Sequence, residues 1–233
     1  MIVYGRNAVR EALRGSRAAQ VHDIWVTAAA AREGWPQGAR VASAQEIAER
    51  CGSDGHQGVC ADAGRFHYAD PRALVGPRAL IVALDQIQDP QNLGAICRTA
   101  ECAGAAGVVI PERRAAQVTG AVCKASAGAV EHLPVAQVRN LADFLVQARG
   151  AGMWSYGASA ELIDGAADPV PYDSVDYTGG GVVLVLGSEG EGLRRRVASE
   201  CDQLISLPLR GRIGSLNVSA AAAELLYGIL QKS

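Results

Sequence analysis

The chain has 233 residues, 49% of them hydrophobic, with 22 basic and 24 acidic side chains and a formal charge of -2. No apolar run approaches the ~20 residues needed to cross a bilayer, and Met1-Ile2-Val3-Tyr4-Gly5-Arg6 lacks the apolar core of a signal segment, so a cytoplasmic protein with no membrane span is expected. At ~150 residues per domain the length suits one large domain or two unequal ones, and the near-neutral charge gives no global sign of a nucleic-acid partner, which a basic domain would show.

In chain order, the first predicted elements are an amphipathic helix from Asn7 to about Arg14, a strand at Ile24-Trp25-Val26 and a helix from Ala44 to Arg50. The alanines at 28–31 have no clear face. Two prolines and a glycine in 67–77 interrupt any regular element, which places a linker there, between a small α/β domain at 1–66 and a larger domain at 78–233. In the larger domain, strand and helix candidates alternate: Ala79 to Leu84, Asn92 to Ala103, Gly107 to Ile110, Ala115 to Ser126, His132 to Val135 and Leu141 to Arg149. The rhythm continues with Met153 to Tyr156, Val182 to Leu186, Leu193 to Glu200, Leu204 to Leu207 and Val218 to Gln231. Such alternation indicates an α/β fold with a mostly parallel sheet covered on both faces. Ligands of these sheets bind beyond the carboxyl ends of strands, where Gly187 and Leu207 fall.

Cys51, Cys60, Cys97, Cys102, Cys123 and Cys201 form no Cys-x-x-Cys pair, which argues against zinc or a disulfide framework and for reduced, mostly buried thiols. His22, His56 and His67 show no metal-ligand spacing, so no metal is expected. Glycines at 187, 190 and 192 follow a run of branched apolar residues and let the backbone approach a ligand closely. Their spacing reverses the Gly-x-Gly-x-x-Gly of a dinucleotide site and comes late in the chain, which argues against a dehydrogenase.

Three segments carry a resemblance: 84–100 (Leu84-Asp85-Gln86 through Asp89-Pro90-Gln91-Asn92 to Arg98), 184–193 with Gly187-Ser188-Glu189-Gly190, and Ile205-Ser206-Leu207-Pro208-Leu209 with Gly214-Ser215-Leu216-Asn217-Val218-Ser219. In order and spacing they resemble the three motifs of the SpoU (TrmH) branch of the SPOUT RNA methyltransferases. Residues 4–13, His56-Gln57-Gly58-Val59 and 124–131 are similar to elements of the two-domain members that modify a guanosine of large-subunit ribosomal RNA.

The resemblance implies a C-terminal deep trefoil knot, a ribosomal-protein-like RNA-binding domain in front of it, and a homodimer in which one subunit's Arg completes the site of the other. It implies methyl transfer from S-adenosylmethionine to a ribose 2'-hydroxyl, with 23S rRNA as partner; tRNA, or an rRNA adenosine whose methylation confers antibiotic resistance, is the alternative target. A non-catalytic ribosome-assembly protein is the reading from another class.

Implied site residues are Asn92, Arg98, Glu189, Ser215 and Asn217 for catalysis and Gly187, Leu207 and Leu216 for the cofactor. Read from the residues alone, Asn92 suits the N-cap of its helix, Asn217 a cap of the last helix, and Arg98 lies off the apolar stripe of Leu93, Ile96, Cys97 and Ala100. A guanidinium does not surrender its proton at neutral pH, so Arg98 is read as an orienting, alkoxide-stabilising cation, with an RNA phosphate as proton acceptor. Arg210 and Arg212, just before the Ser215 turn, are read as RNA contacts, as is Lys124; Arg113-Arg114 and Arg194-Arg195-Arg196 are further clusters able to hold phosphate.

Overall fold

A computed structural model of the chain describes residues 1–35, 38–188, 190–212 and 214–232. Among these, two sheets carry the fold. The first comprises β1 (Ile2–Tyr4), β2 (Asp23–Val26), β3 (Arg40–Val41) and β4 (Val59–Asp62) in the order β1-β4-β2-β3. Its helices are α1 (Arg6–Ala12) and α2 (Ala44–Cys51). A reciprocal cap starts α2: the Glu46 N–H donates to the Ser43 hydroxyl at 3.2 Å, and the Ser43 N–H donates to the Glu46 carboxylate at 2.7 Å.

The second sheet contains β5 (Leu80–Asp85), β6 (Gly107–Pro111), β7 (Val135–Val138), β8 (Met153–Ala158), β9 (Val170–Pro171), β10 (Gly181–Gly187) and β11 (Gln203–Ser206). Their order is β7-β6-β5-β10-β8-β11-β9, and every pair is parallel. Alternate residues of the central strands enter opposite cores. Val82, Leu84, Val182 and Leu184 pack under α3 (Pro90–Cys102), α4 (Gly120–Ala125) and α7 (Val218–Leu230), whereas Ile81, Ala83, Val183 and Val185 face α5 (Leu141–Gly150) and α6 (Arg195–Glu200). Burial on both faces explains why these strands read as continuous apolar runs.

Several expectations are corrected. Residues 115–119, expected in a helix, are not helical, and α4 begins only at Gly120. The Ala116 N–H donates to the Ile87 carbonyl at 2.8 Å and the Val118 N–H to the Tyr68 hydroxyl at 3.0 Å, so donors that a helix would use are already satisfied by distant partners. β7 starts at Val135, not His132, because residues 129–131 form a 3-10 turn and Pro134 has no N–H for the ladder. The segment expected as a linker is packed: Ala69 bridges to Ala136, and a 3-10 turn at Pro71–Leu74 buries Leu74.

The two sheets share one apolar core, in which Val3, Val9 and Val59 join Leu93 and Val122. Arg17 and Glu131, 2% and 0% exposed at their side chains, form an ion pair across this junction. Gly128 (φ 91°) packs against α1 where a Cβ would lie 2.5 Å from the Glu11 Cβ. The described helices include none long and apolar enough to cross a membrane.

Candidate active site

Because every strand of the second sheet runs the same way, the loops leaving their carboxyl ends meet along one edge. A cavity of about 710 Å³ opens there, lined by residues 159–163 after β8, Gly187, Ser188 and 190–193 after β10, and Leu207, Leu209 and 214–218 after β11. That is within the range of small-molecule sites. A polar hollow of about 370 Å³ adjoins it, lined by Gln86, Gln88, Asp89 and Asn92, and the two share Ser188, Glu191 and Val218.

Gly187 explains how the loop after β10 closes. A Cβ there would lie 2.2 Å from the Gly192 carbonyl carbon, so any side chain would block the return of the loop. Ser188 and Gly192 then exchange two backbone hydrogen bonds of 3.0 Å. The far end of the loop is fastened by an ion pair that sequence reading missed. Asp85, fully buried at the end of β5, accepts the Arg194 backbone N–H at 2.9 Å and its Nε at 2.8 Å. Since Gly187 and Asp85 are register partners, one carboxylate beside the start of the loop holds its end. The partners are 109 residues apart, and only the alternation of strands, which puts β10 beside β5, could have hinted at them.

The hydrogen-bonding roles around Asn92 differ from expectation. Asp89, not Asn92, caps α3, accepting from the Gln91 N–H at 2.9 Å with Pro90 in the first turn. Asn92, 7% exposed, accepts instead from the Asn217 Nδ2 at 3.0 Å. Asn217 does cap α7, its Oδ1 accepting from the Ser219 N–H at 2.9 Å and Oγ at 2.6 Å. The first and third motifs are thus joined at the junction of cavity and hollow.

Ser215 and Leu216 line the cavity on exposed chain, Leu216 being 49% exposed, and Leu207 lines it from the end of β11. Glu189 lies outside the described residues. Arg98 is exposed on α3 and has no ion-pair or hydrogen-bond partner among the described residues. Six residues separate it from Asn92, about 9 Å along the helix and roughly 120° around it, so the fold does not turn it toward the same hollow. Arg210 and Arg212 are exposed in the loop that lines the cavity.

Three of the other expected phosphate ligands are committed inside the chain. Lys124 donates from Nζ to the Gly55 carbonyl and stands 5.7 Å from the Tyr4 ring centre, so it joins the two sheets. Arg194 is bound to Asp85, and Arg196 to Asp143 at 2.9 Å. His56 is buried, its Nδ1 accepting from the Gly58 N–H at 2.9 Å, which gives it a structural role. Residues 159–163 were missed as a cavity wall because their sequence, Ser159-Ala160-Glu161-Leu162-Ile163, has no motif; their place follows only from β8 lying between β10 and β11.

The sequence profile of the SpoU rRNA Methylase family matches residues 79–227. The Bacillus subtilis protein YacO, assigned to the TrmH family of tRNA/rRNA methyltransferases, is 36% identical over 99% of this chain and 95% of its own length. The AdoMet-bound rRNA methyltransferase of Sinorhizobium meliloti superposes with a TM-score of 0.78 at 26% identity, covering 99% of this chain and 86% of that one. The SpoU methyltransferase AviRb of Streptomyces viridochromogenes gives 0.78 at 25% identity, covering 99% and 88%.

Proposed function

Because the chain belongs to the SpoU rRNA methylase family, we propose that it transfers a methyl group from S-adenosylmethionine to a ribose 2'-hydroxyl of RNA, most fittingly a guanosine of 23S rRNA. The observation that carries this reading is the pairing of a ligand-sized cavity with a polar hollow at the carboxyl edge, joined through Asn92 and Asn217. The residues present fit the cofactor: the lack of a Cβ at Gly187 lets the loop return and close the cavity wall, and the backbone at Gly187, Leu207 and Leu216 lines the cavity, able to read an adenine edge without requiring particular side chains. Relatives similar along the whole chain include one described with AdoMet bound.

S-adenosylmethionine supplies an electrophilic methyl on a sulfonium. The chain's own task is then positioning. Asn92, Asp89, Gln86 and Gln88 offer hydrogen bonds to a nucleotide entering the hollow. Asn217 orders the turn between hollow and cavity through its bonds to Asn92 and Ser219, Ser215 lines the cavity beside it, and Glu189 serves the same site as a carboxylate. Arg98, permanently cationic, orients the ribose and stabilises the developing alkoxide while an RNA phosphate accepts the proton.

Arg98 acts from a second copy of the chain. Its exposure, its angular separation from Asn92 and the exposed Tyr227 of the adjacent α7 support a homodimer in which each site borrows one arginine. The C-terminal part, 78–233, forms a deep trefoil knot in which α7 passes through the loop of the preceding motifs; α7 packing on α3 and β10 lying between β5 and β8 support this. Residues 1–66, with their own sheet, choose the RNA, and the protein works in the cytoplasm. A tRNA target is the second reading, which the tRNA/rRNA designation of YacO includes.

Incubation with methyl-labelled S-adenosylmethionine and unmodified RNA transcripts, followed by alkaline hydrolysis, tests the chemistry. Label in alkali-resistant dinucleotides supports ribose methylation; label released entirely in mononucleotides places the methyl on a base and overturns it.

A further inference from the structure

The chain has 20 arginines and 2 lysines, and many of the arginines are held by its own carboxylates, as Arg17 is by Glu131, Arg149 by Asp202, Arg194 by Asp85 and Arg196 by Asp143. Three stand apart at one end of the carboxyl edge. Arg113 and Arg114 follow β6, and Arg139 follows β7. The register pairs Pro111 with Val138, and the Glu112 N–H donates to the Val138 carbonyl at 2.9 Å, so the two loops lie side by side.

All three are exposed. Among the described residues Arg113 and Arg114 have no ion-pair partner, and Arg139, 92% exposed at its side chain, stands 4.0 Å from Glu112. Arg114 also holds a φ of 57°, a left-handed conformation that is strained for a residue with a Cβ. Three exposed arginines on neighbouring loops, with one loosely placed carboxylate, suit a polyanion, since Arg matches phosphate bidentately. The loop is tied to the site: the Ala116 N–H bond to the Ile87 carbonyl joins it to residues 86–89, which line the polar hollow.

We propose that Arg113, Arg114 and Arg139 form a phosphate track for the RNA strand, on the flank of the hollow opposite Arg210 and Arg212. The sheet order sets the arrangement: β7 and β6 lie on one side of β5 and β10, and β11 lies on the other. Five interstrand steps separate β7 from β11, about 24 Å at ~4.8 Å each, a span of several nucleotides. The strand is held at both flanks while one nucleotide enters the hollow between them. The inference rests on the RNA-methyltransferase reading for its choice of polyanion.

The test measures binding of the full-length protein to an in vitro transcript of large-subunit ribosomal RNA by filter retention over a salt series, without cofactor. R113Q/R114Q/R139Q is expected to bind about tenfold more weakly at moderate salt, with a slope of log affinity against log salt shallower by about 2, since each single-strand phosphate contact contributes ~0.7. Affinity for S-adenosylmethionine and the melting temperature stay at wild-type values. Unchanged RNA affinity and slope would overturn the track. R113Q/R114Q, which removes no contact made within the described chain, decides the matter if the triple variant melts early. Because the readout needs no methyl transfer, a wild-type protein that binds RNA yet transfers no methyl counts against the enzymatic reading while the variants still decide the track.

Discussion

Asn217 donates a 3.0 Å hydrogen bond to Asn92 across 125 residues of sequence, and this one contact joins the start of the last helix to the first turn of α3. The same Asn217 side chain caps α7 through its oxygen. Its two ends therefore have separable tasks, one in stability and one in shaping the site.

The two tasks predict different variants. Asn217→Ala removes both and should cost about 1–2 kcal/mol through the lost cap, lowering the melting temperature by ~2–8 °C. Asn217→Ser keeps a capping oxygen and should recover most of that stability, yet it cannot reach Asn92. Methyl transfer should drop at least about tenfold in both, equivalent to ~1.4 kcal/mol in the barrier. Full activity in the serine variant would restrict Asn217 to capping.

Arg98→Ala should reduce methyl transfer by about 10²- to 10³-fold, the usual loss for one donor facing a developing oxyanion, with cofactor affinity unchanged in calorimetry. Lysine should rescue poorly, having no planar fork. Mixing Arg98→Ala with Asn217→Ala subunits should restore part of the activity, because in a mixed dimer one intact pocket meets one intact arginine. If Arg98 served its own chain, no mixture would recover.

The Asp85 and Arg194 pair fastens the loop that walls the larger cavity. Arg194→Ala leaves a fully buried carboxylate without its guanidinium, a loss expected to cost about 3 kcal/mol and to lower the melting temperature by ~6–12 °C. The Michaelis constant for S-adenosylmethionine should rise more than the turnover number falls, since the loop shapes the cavity. A variant that melts and binds like wild type would remove the pair from this role.

Burial pushes the thiols of Cys60, Cys97, Cys123 and Cys201 up to about 12, from an ordinary value of 9.0. At pH 8 they stay protonated, so iodoacetamide should label exposed Cys102 first and these four only on unfolding, as mass spectrometry would show. Above pH 9 the unfolded chain loses these protons while the folded chain keeps them. The unfolded state then binds fewer protons, and stability falls by up to ~1.4 kcal/mol per thiol for each pH unit. A melting temperature that is flat from pH 9 to 10.5 would contradict this.

Long apolar patterns were legible in sequence and local bonding was not. The stripe Leu93, Ile96, Cys97 and Ala100 located α3, and the run Val182 to Leu186 located β10, because each is buried against a continuous core. The three-residue β1 and the four-residue β4 were too short to show a period. Residues 115–119 have helical composition, but their N–H groups are satisfied by Ile87 and Tyr68, partners distant in sequence. The capping of α3 moved from Asn92 to Asp89, since both types cap well and only the fold shows that Asn217 needs Asn92. Likewise Lys124 reads as a surface cation until Gly55 is found beside it.

The central claim is methyl transfer to a ribose of RNA, and the most direct measurement is tritium transfer from labelled S-adenosylmethionine to total ribosomal RNA lacking its native 2'-O-methylations, with nuclease mapping of the product. A single labelled guanosine ribose in the large-subunit RNA is the predicted result. Label on tRNA alone would move the target and keep the chemistry. No label on any RNA, from protein that binds S-adenosylmethionine, would contradict the account.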